Sequence, residues 1–221
     1  METSALIQQL AGQSAPVRRL WRPWQRSAIW LAISLPYVAA IVFSKPMDFD
    51  LRLMFSDTRF MIEEIAALTT AVAAVVAAFW SIVPGHHRKL LLLPLAPLAV
   101  WLGALGEGCV HDWLRLGNAG LQLRIDWDCL PAASVIGIVP MIAIIVMLRR
   151  GAPLIPRITL ALAAVAVAGL GNFALRLYHL GDVSIMVLVW HFGSVVLLAF
   201  IAGLIARHVL NWRNVKAVKM G

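Results

Sequence analysis

The sequence predicts an all-α membrane protein, a bundle of six transmembrane helices with both termini on the cytoplasmic side. Three observations lead there. Hydrophobic residues make up 61% of the 221, and the mean hydropathy is +0.84. Charged residues, 14% of the chain, fall in short bursts between long apolar runs, whereas a soluble globular chain carries about a quarter. Lipid is the solvent such a composition suits. The net charge of +8 would suggest nucleic acid in a soluble chain, but no basic stretch is long, or interleaved with aromatics, as a binding groove requires. No direct nucleic-acid contact is expected, and the charge is better explained by membrane topology.

A spanning helix needs about 20 mainly apolar residues, and six stretches approach that length: 27–43, 60–83, 90–105, 130–148, 158–175 and 183–205. The first begins too late, and lacks the small-residue cleavage site, to be a removable signal peptide, so it is read as a retained helix. The third is the weakest, being short and carrying Pro94 and Pro97, which remove backbone donors that neighbouring helices must offset. Residues 1–26 then form a cytoplasmic tail, 27–212 the transmembrane domain and 213–221 a basic C-terminal tail.

Orientation follows from Lys and Arg, because positive loops resist translocation. With the N-terminus inside, the inner face receives Arg18, Arg19, Arg22, Arg26, Arg88, Lys89, Arg149, Arg150, Arg157, Arg207, Arg213, Lys216 and Lys219, thirteen of the nineteen. The outer face takes ten of the eleven acids, only Glu2 staying inside. A re-entrant third segment would exchange the later loops and nearly abolish this bias, which favours six crossings. The tryptophans follow the same map loosely, with Trp21, Trp24, Trp30, Trp80 and Trp212 toward the inner face and Trp113 and Trp127 toward the outer. Small residues such as Ala73, Ala74, Ala77 and Ala78, and later Gly169 and Gly171, provide faces on which helices approach closely.

Both cysteines fall in the second outer loop, in Gly106-Glu107-Gly108-Cys109-Val110-His111-Asp112-Trp113 and Asp126-Trp127-Asp128-Cys129-Leu130. One reading is structural: in an oxidising space a bridge across this spacing would stabilise the loop by roughly 3 kcal/mol, or the thiols are idle. The other is a thiol sensor, in which Cys109, His111 and Cys129, with Asp112 or Asp128, bind a thiophilic metal ion transiently. No C-x-x-C or second His pair reinforces it, and no resident cofactor is expected. Glu63 and Glu64 lie inside the outer end of the second span, where an ionisable group is costly enough to suggest a role. Placement near the helix N-terminus, where the dipole favours acids, accounts for them equally simply and is preferred. Asn172 with Arg176, and His191, are read as polar contacts between helices, and His86 and His87 as part of a solvated turn.

In the tail, Leu6, Ile7 and Leu10 follow a Thr3 or Ser4 cap at helical spacing, and Pro16 closes the segment. So short a helix is marginal alone and orders on a membrane or a partner. The residues leave two rival classes open. A thiol-redox or quinone enzyme of the membrane rests on the paired outer cysteines alone and lacks a reactive C-x-x-C. A small transporter would show polar residues at the bilayer midplane or repeated broken helices, and only His191 and the two prolines hint at that.

An ordered series of motifs runs nearly the whole chain: Leu6-Ile7-Gln8-Gln9-Leu10-Ala11, then Pro16-Val17-Arg18-Arg19-Leu20, then Asp57-Thr58-Arg59-Phe60-Met61-Ile62-Glu63 leading the second span. Cys129-Leu130 opens the fourth, Leu148-Arg149-Arg150-Gly151-Ala152-Pro153 closes it, and the last ends near Trp212. In this series the chain resembles the NrsF family, negative regulators of sigma F, which are anti-sigma factors of the bacterial inner membrane and not enzymes. The resemblance implies that the tail, through Leu6, Ile7, Leu10, Val17, Arg18, Arg19 and Leu20, holds an extracytoplasmic-function sigma factor inactive at the membrane. It also implies that outer cysteines relieve inhibition under heavy-metal or oxidative stress. Cys129 matches one of the family's cysteines. The other belongs to the last outer loop, which here reads Arg176-Leu177-Tyr178-His179-Leu180-Gly181-Asp182 and contains none. Three readings stay open: His179 replaces a ligand, Cys109 replaces the thiol, or the input differs.

Overall fold

A computed structural model describes residues 3–13, 20–44, 56–85, 87–118, 129–151, 154–177 and 193–210, with the single positions 185, 188 and 189. The helices are α1 (Thr3–Gln13), α2 (Pro23–Phe43), α3 (Thr58–Trp80), α4 (Leu95–Leu116), α5 (Cys129–Leu148), α6 (Pro156–Arg176) and α7 (Gly193–Val209), with a 3-10 turn at Arg88–Leu92 before α4. Five are long and apolar enough to cross a membrane: α2, α3, α4 with its leading turn, α5 and α6. The sixth predicted span is represented by α7, whose apolar core Val195–Val209 is shorter; most of residues 183–192, His191 among them, lies outside the described residues.

Helix starts follow local chemistry. Pro23 begins α2, where a missing N–H costs nothing, so α2 starts before the expected tail boundary and draws Arg26 into the bundle. Asp57 caps α3 by accepting from the backbone N–H of Arg59 at 2.9 Å and of Phe60 at 3.4 Å. The prolines of the weak third span fall at the start of α4, Pro94 as its N-cap residue and Pro97 in its first turn, where they interrupt no helical hydrogen bond. They therefore do not break α4, which continues as a helix well past residue 105. It stops at Gly117, whose φ of 59° is left-handed and whose N–H returns to Trp113 O.

The packing is that of a protein in lipid. The contact between α3 and α6 is made of small residues, including the fully buried Ala67, Ala71, Ala74, Ala163 and Ala166. A Cβ on Gly169 would lie 3.1 Å from Ala67 O and 3.2 Å from Ala71 Cβ, so glycine sets how closely these backbones approach. Large apolar side chains point outward instead, for example Val135, Ile138, Ile142 and Val146 along α5 and Leu197, Phe200 and Leu204 along α7. Such a surface is stable against acyl chains and not against water.

Side-chain hydrogen bonds to backbone carbonyls fix α2 on α5. Trp30 Nε1 donates to Pro140 O at 2.9 Å, Tyr37 Oη donates to Val135 O at 2.6 Å, and Arg26 Nη2 donates to Met147 O. The two helices are thus antiparallel. Further links orient the rest: Ser81 and Thr159 share a hydrogen bond at 2.7 Å, and Arg149 Nε donates to Val209 O at 2.7 Å. The start of α2 and the ends of α5 and α7 therefore lie at one end of the bundle. Among the described residues, Arg22, Arg26, Arg88, Lys89, Arg149, Arg150, Arg157 and Arg207 lie toward that end, whereas the acids Asp57, Glu63, Glu64, Glu107 and Asp112 all lie toward the other.

Candidate functional site

At the acidic end, three helices converge on a buried ion network. Glu63 is 2% exposed and Glu64 4%, both on the second turn of α3 and facing α6. Arg176, in the last turn of α6, places Nη2 2.5 Å from Glu63 Oε2 and Nε 3.8 Å from Glu64 Oε1. Its guanidinium also lies 5.6 Å from the ring centre of Phe60. Arg59, one turn before Glu63, holds Glu63 Oε1 at 3.1 Å and reaches Glu107 Oε2 of α4 at 3.9 Å. Buried carboxylates demand partners, and two arginines supply them, with the mostly exposed Glu107 carrying the network onto α4. Glu64 Oε2 has no hydrogen-bond partner among the described residues.

Helix-end placement, the preferred sequence reading of Glu63 and Glu64, is therefore incomplete. They do begin a helix, but burial and pairing with Arg176 define them. The interhelical polar contact expected of Arg176 is present, and its described carboxylate partners are these two. A sequence signal existed: an acidic pair inside one apolar span and an arginine at the same depth of another.

This network lies beside the predicted thiol. Cys109 stands in α4 two residues after Glu107, a partly exposed free thiol within electrostatic reach of Arg59, Glu63 and Asp112. The sequence reading placed Cys109, His111 and Asp112 in a loop; they are helical, because α4 runs to Leu116. Helical geometry then separates them: Asp112, three residues on, shares the face of Cys109, whereas the exposed His111, two residues on, points away. Cys129 is the first residue of α5; its side chain, with Asp128 and His179, lies outside what is described. Among the described residues no group of three His, Cys, Asp or Glu side chains could hold a metal ion.

Of the predicted tail residues, Leu6, Ile7 and Leu10 lie on α1 and Leu20 is exposed just before α2, while Val17, Arg18 and Arg19 lie outside the described residues. Every described side chain of α1 is exposed, Ile7 at 60%.

A family model described as negative regulator of sigma F matches residues 10–212. The chain belongs to the NrsF family. The match starts at Leu10, so it covers Val17 to Leu20, both cysteines and the whole ion network, while Leu6 and Ile7 precede it. No curated protein and no solved structure matches the chain. Membership in NrsF makes this a regulatory membrane protein whose object is a sigma factor, and it gives the two ends of the bundle distinct meaning: one carries the thiol and the ion network, the other carries the chain's N-terminal arm.

Proposed function

We propose that this protein is an anti-sigma factor of the bacterial inner membrane with both termini in the cytoplasm, and that residues 1–26 hold an extracytoplasmic-function sigma factor inactive there. The observation that carries this reading is the family match across residues 10–212. The exposure of α1 supports the location of the binding segment: a short helix whose described side chains, Ile7 among them, are exposed suits a partner that orders it on binding. The basic end of the bundle, where the arm enters α2, suits the cytoplasmic side.

Release begins at the opposite end. A heavy-metal ion or an oxidant acts on Cys109 and Cys129, with Asp112, Asp128 or His179 as auxiliary ligands, His111 being turned to the other side of α4. Cys109 belongs to the same helical turn as Glu107, and Glu107 touches Arg59. Movement of the end of α4 is thereby felt by the Arg59–Glu63–Arg176 chain and by the α3–α6 contact, which reaches the basic end at Ser81 and Thr159. Switching a sigma factor from 99% to 1% bound needs about 5.5 kcal/mol of differential binding, which thiolate coordination or a new disulfide supplies in order of magnitude.

The test is affinity purification of the detergent-solubilised protein from its native host, with and without residues 1–26, and mass spectrometry of what accompanies it. One sigma factor recovered with the full chain and lost on truncation is the expected result. Its absence from the full-length preparation overturns the reading.

A further inference from the structure

The basic end carries a cavity of about 800 Å³ between α2 and α5, within the size range of small-molecule sites. Arg26 and Arg150 both line it, close enough to repel each other. Arg26 is buried, donates to Met147 O and lies 4.5 Å over the Phe79 ring. Neither arginine has a carboxylate partner among the described residues, and every described acid lies toward the far end of the bundle. Trp21, 64% exposed, flanks the mouth, and the groove continues along Ile29, Ile33 and Val146, whose side chains face what would be acyl chains. Ile33 lies two turns below Arg26, about 10 Å deeper.

We propose that this groove is a binding site for one anionic phospholipid, its phosphate held between Arg26 and Arg150 and one acyl chain laid along Ile29, Ile33 and Val146. The chemistry matches part for part. Two arginines with no carboxylate partner among the described residues suit an anion, and a basic recess between transmembrane helices recognises acidic headgroups. An indole at the mouth sits at headgroup depth, and the apolar floor accepts hydrocarbon but gives nothing to a free phosphate ion. The site also adjoins Leu20 and Trp21, the root of the N-terminal arm, so an occupied groove fixes the direction in which that arm leaves the bundle. The proposal does not depend on the sigma-factor reading.

The test uses the full chain, delipidated in a neutral detergent, with native mass spectrometry of retained lipid on titration with phosphatidylglycerol, phosphatidylcholine of the same chains, or inorganic phosphate. Phosphatidylglycerol is expected to bind in preference to phosphatidylcholine, with one copy resisting detergent. Arg150→Ala should weaken it about fivefold, the factor for ~1 kcal/mol per basic residue at an anionic surface. Ile33→Trp fills the floor with both charges intact and should weaken it as well. Equal retention of the two lipids overturns the site. So does competition by inorganic phosphate at concentrations matching the lipid, which would mark a simple anion site. An equal loss with Arg157→Ala, at the same end but outside the groove, would reduce the effect to general basic attraction and likewise overturn it.

Discussion

Replacing Arg176 with alanine removes a guanidinium that reaches both buried glutamates. Glu63 keeps Arg59 at 3.1 Å, but Glu64 loses the cation at 3.8 Å and already has an unbonded Oε2. Stripping one partner from a buried ion pair costs about 3–5 kcal/mol. The retained Arg59 contact puts the expectation at the lower end, ~3 kcal/mol, or roughly 6–12 °C in melting temperature for a chain of this size. The assay is thermal unfolding of the purified protein in one fixed detergent, followed by tryptophan fluorescence. Two companion variants isolate the cause. Arg59→Ala should cost about 1 kcal/mol or less, because Arg59 is partly exposed and Glu63 retains Arg176. Adding Glu64→Gln to Arg176→Ala should recover part of the loss, because the buried carboxyl left without its cation is gone. If Arg176→Ala unfolds within 2 °C of the parent, or Arg59→Ala is equally damaging, the network does not hold α3 to α6 as argued.

The other predictions concern the helix contacts and the switch. Gly169→Val places a Cβ 3.1 Å from Ala67 O and 3.2 Å from Ala71 Cβ, with two methyl groups beyond it, and should destabilise by about 1–3 kcal/mol in the same unfolding assay; Gly103→Val, with open space around it, is the neutral control. Thr159→Val removes the partner of Ser81, which keeps its bond to Ala78 O at 2.7 Å, so a loss of about 1 kcal/mol is expected. Cys109→Ser combined with Cys129→Ser should preserve repression and abolish induction by cadmium or peroxide in a sigma-dependent reporter strain. Normal induction in that double variant rules out thiol sensing.

The spans were legible because apolar length is a strong signal: 27–43, 60–83, 130–148 and 158–175 each coincide with a helix to within four residues at either end. The third was misjudged at its far end. Charged and small residues from Gly106 to Arg115 read as a loop, yet α4 carries them to Gly117, since helix propensity tolerates them and the left-handed glycine is the actual stop. That error moved Cys109 and His111 from a flexible loop, where they could converge, to opposite sides of a helix. Among the described residues, charge counting placed every acid, with Arg59, Arg115 and Arg176, at one end and the other Lys and Arg at the opposite end, because that division depends only on helix alternation. Pairing was beyond it: periodicity places Glu63 and Arg176 at similar depth, but only the adjacency of α3 and α6, set by small residues such as Gly169, makes them partners.

The α3–α6 contact has a mechanical consequence. Its middle is smooth, with alanines and glycine presenting little that interlocks, and its ends are pinned, by Glu63 and Glu64 with Arg176 at one and by Ser81 with Thr159 at the other. A rod held at both ends over a smooth bed neither slides nor turns. Release of the ionic pin leaves the Ser81–Thr159 hydroxyl pair at the other end as a pivot, and a tilt about a pivot moves the freed end furthest. A small disturbance there thus becomes a change of angle along the full length of α6.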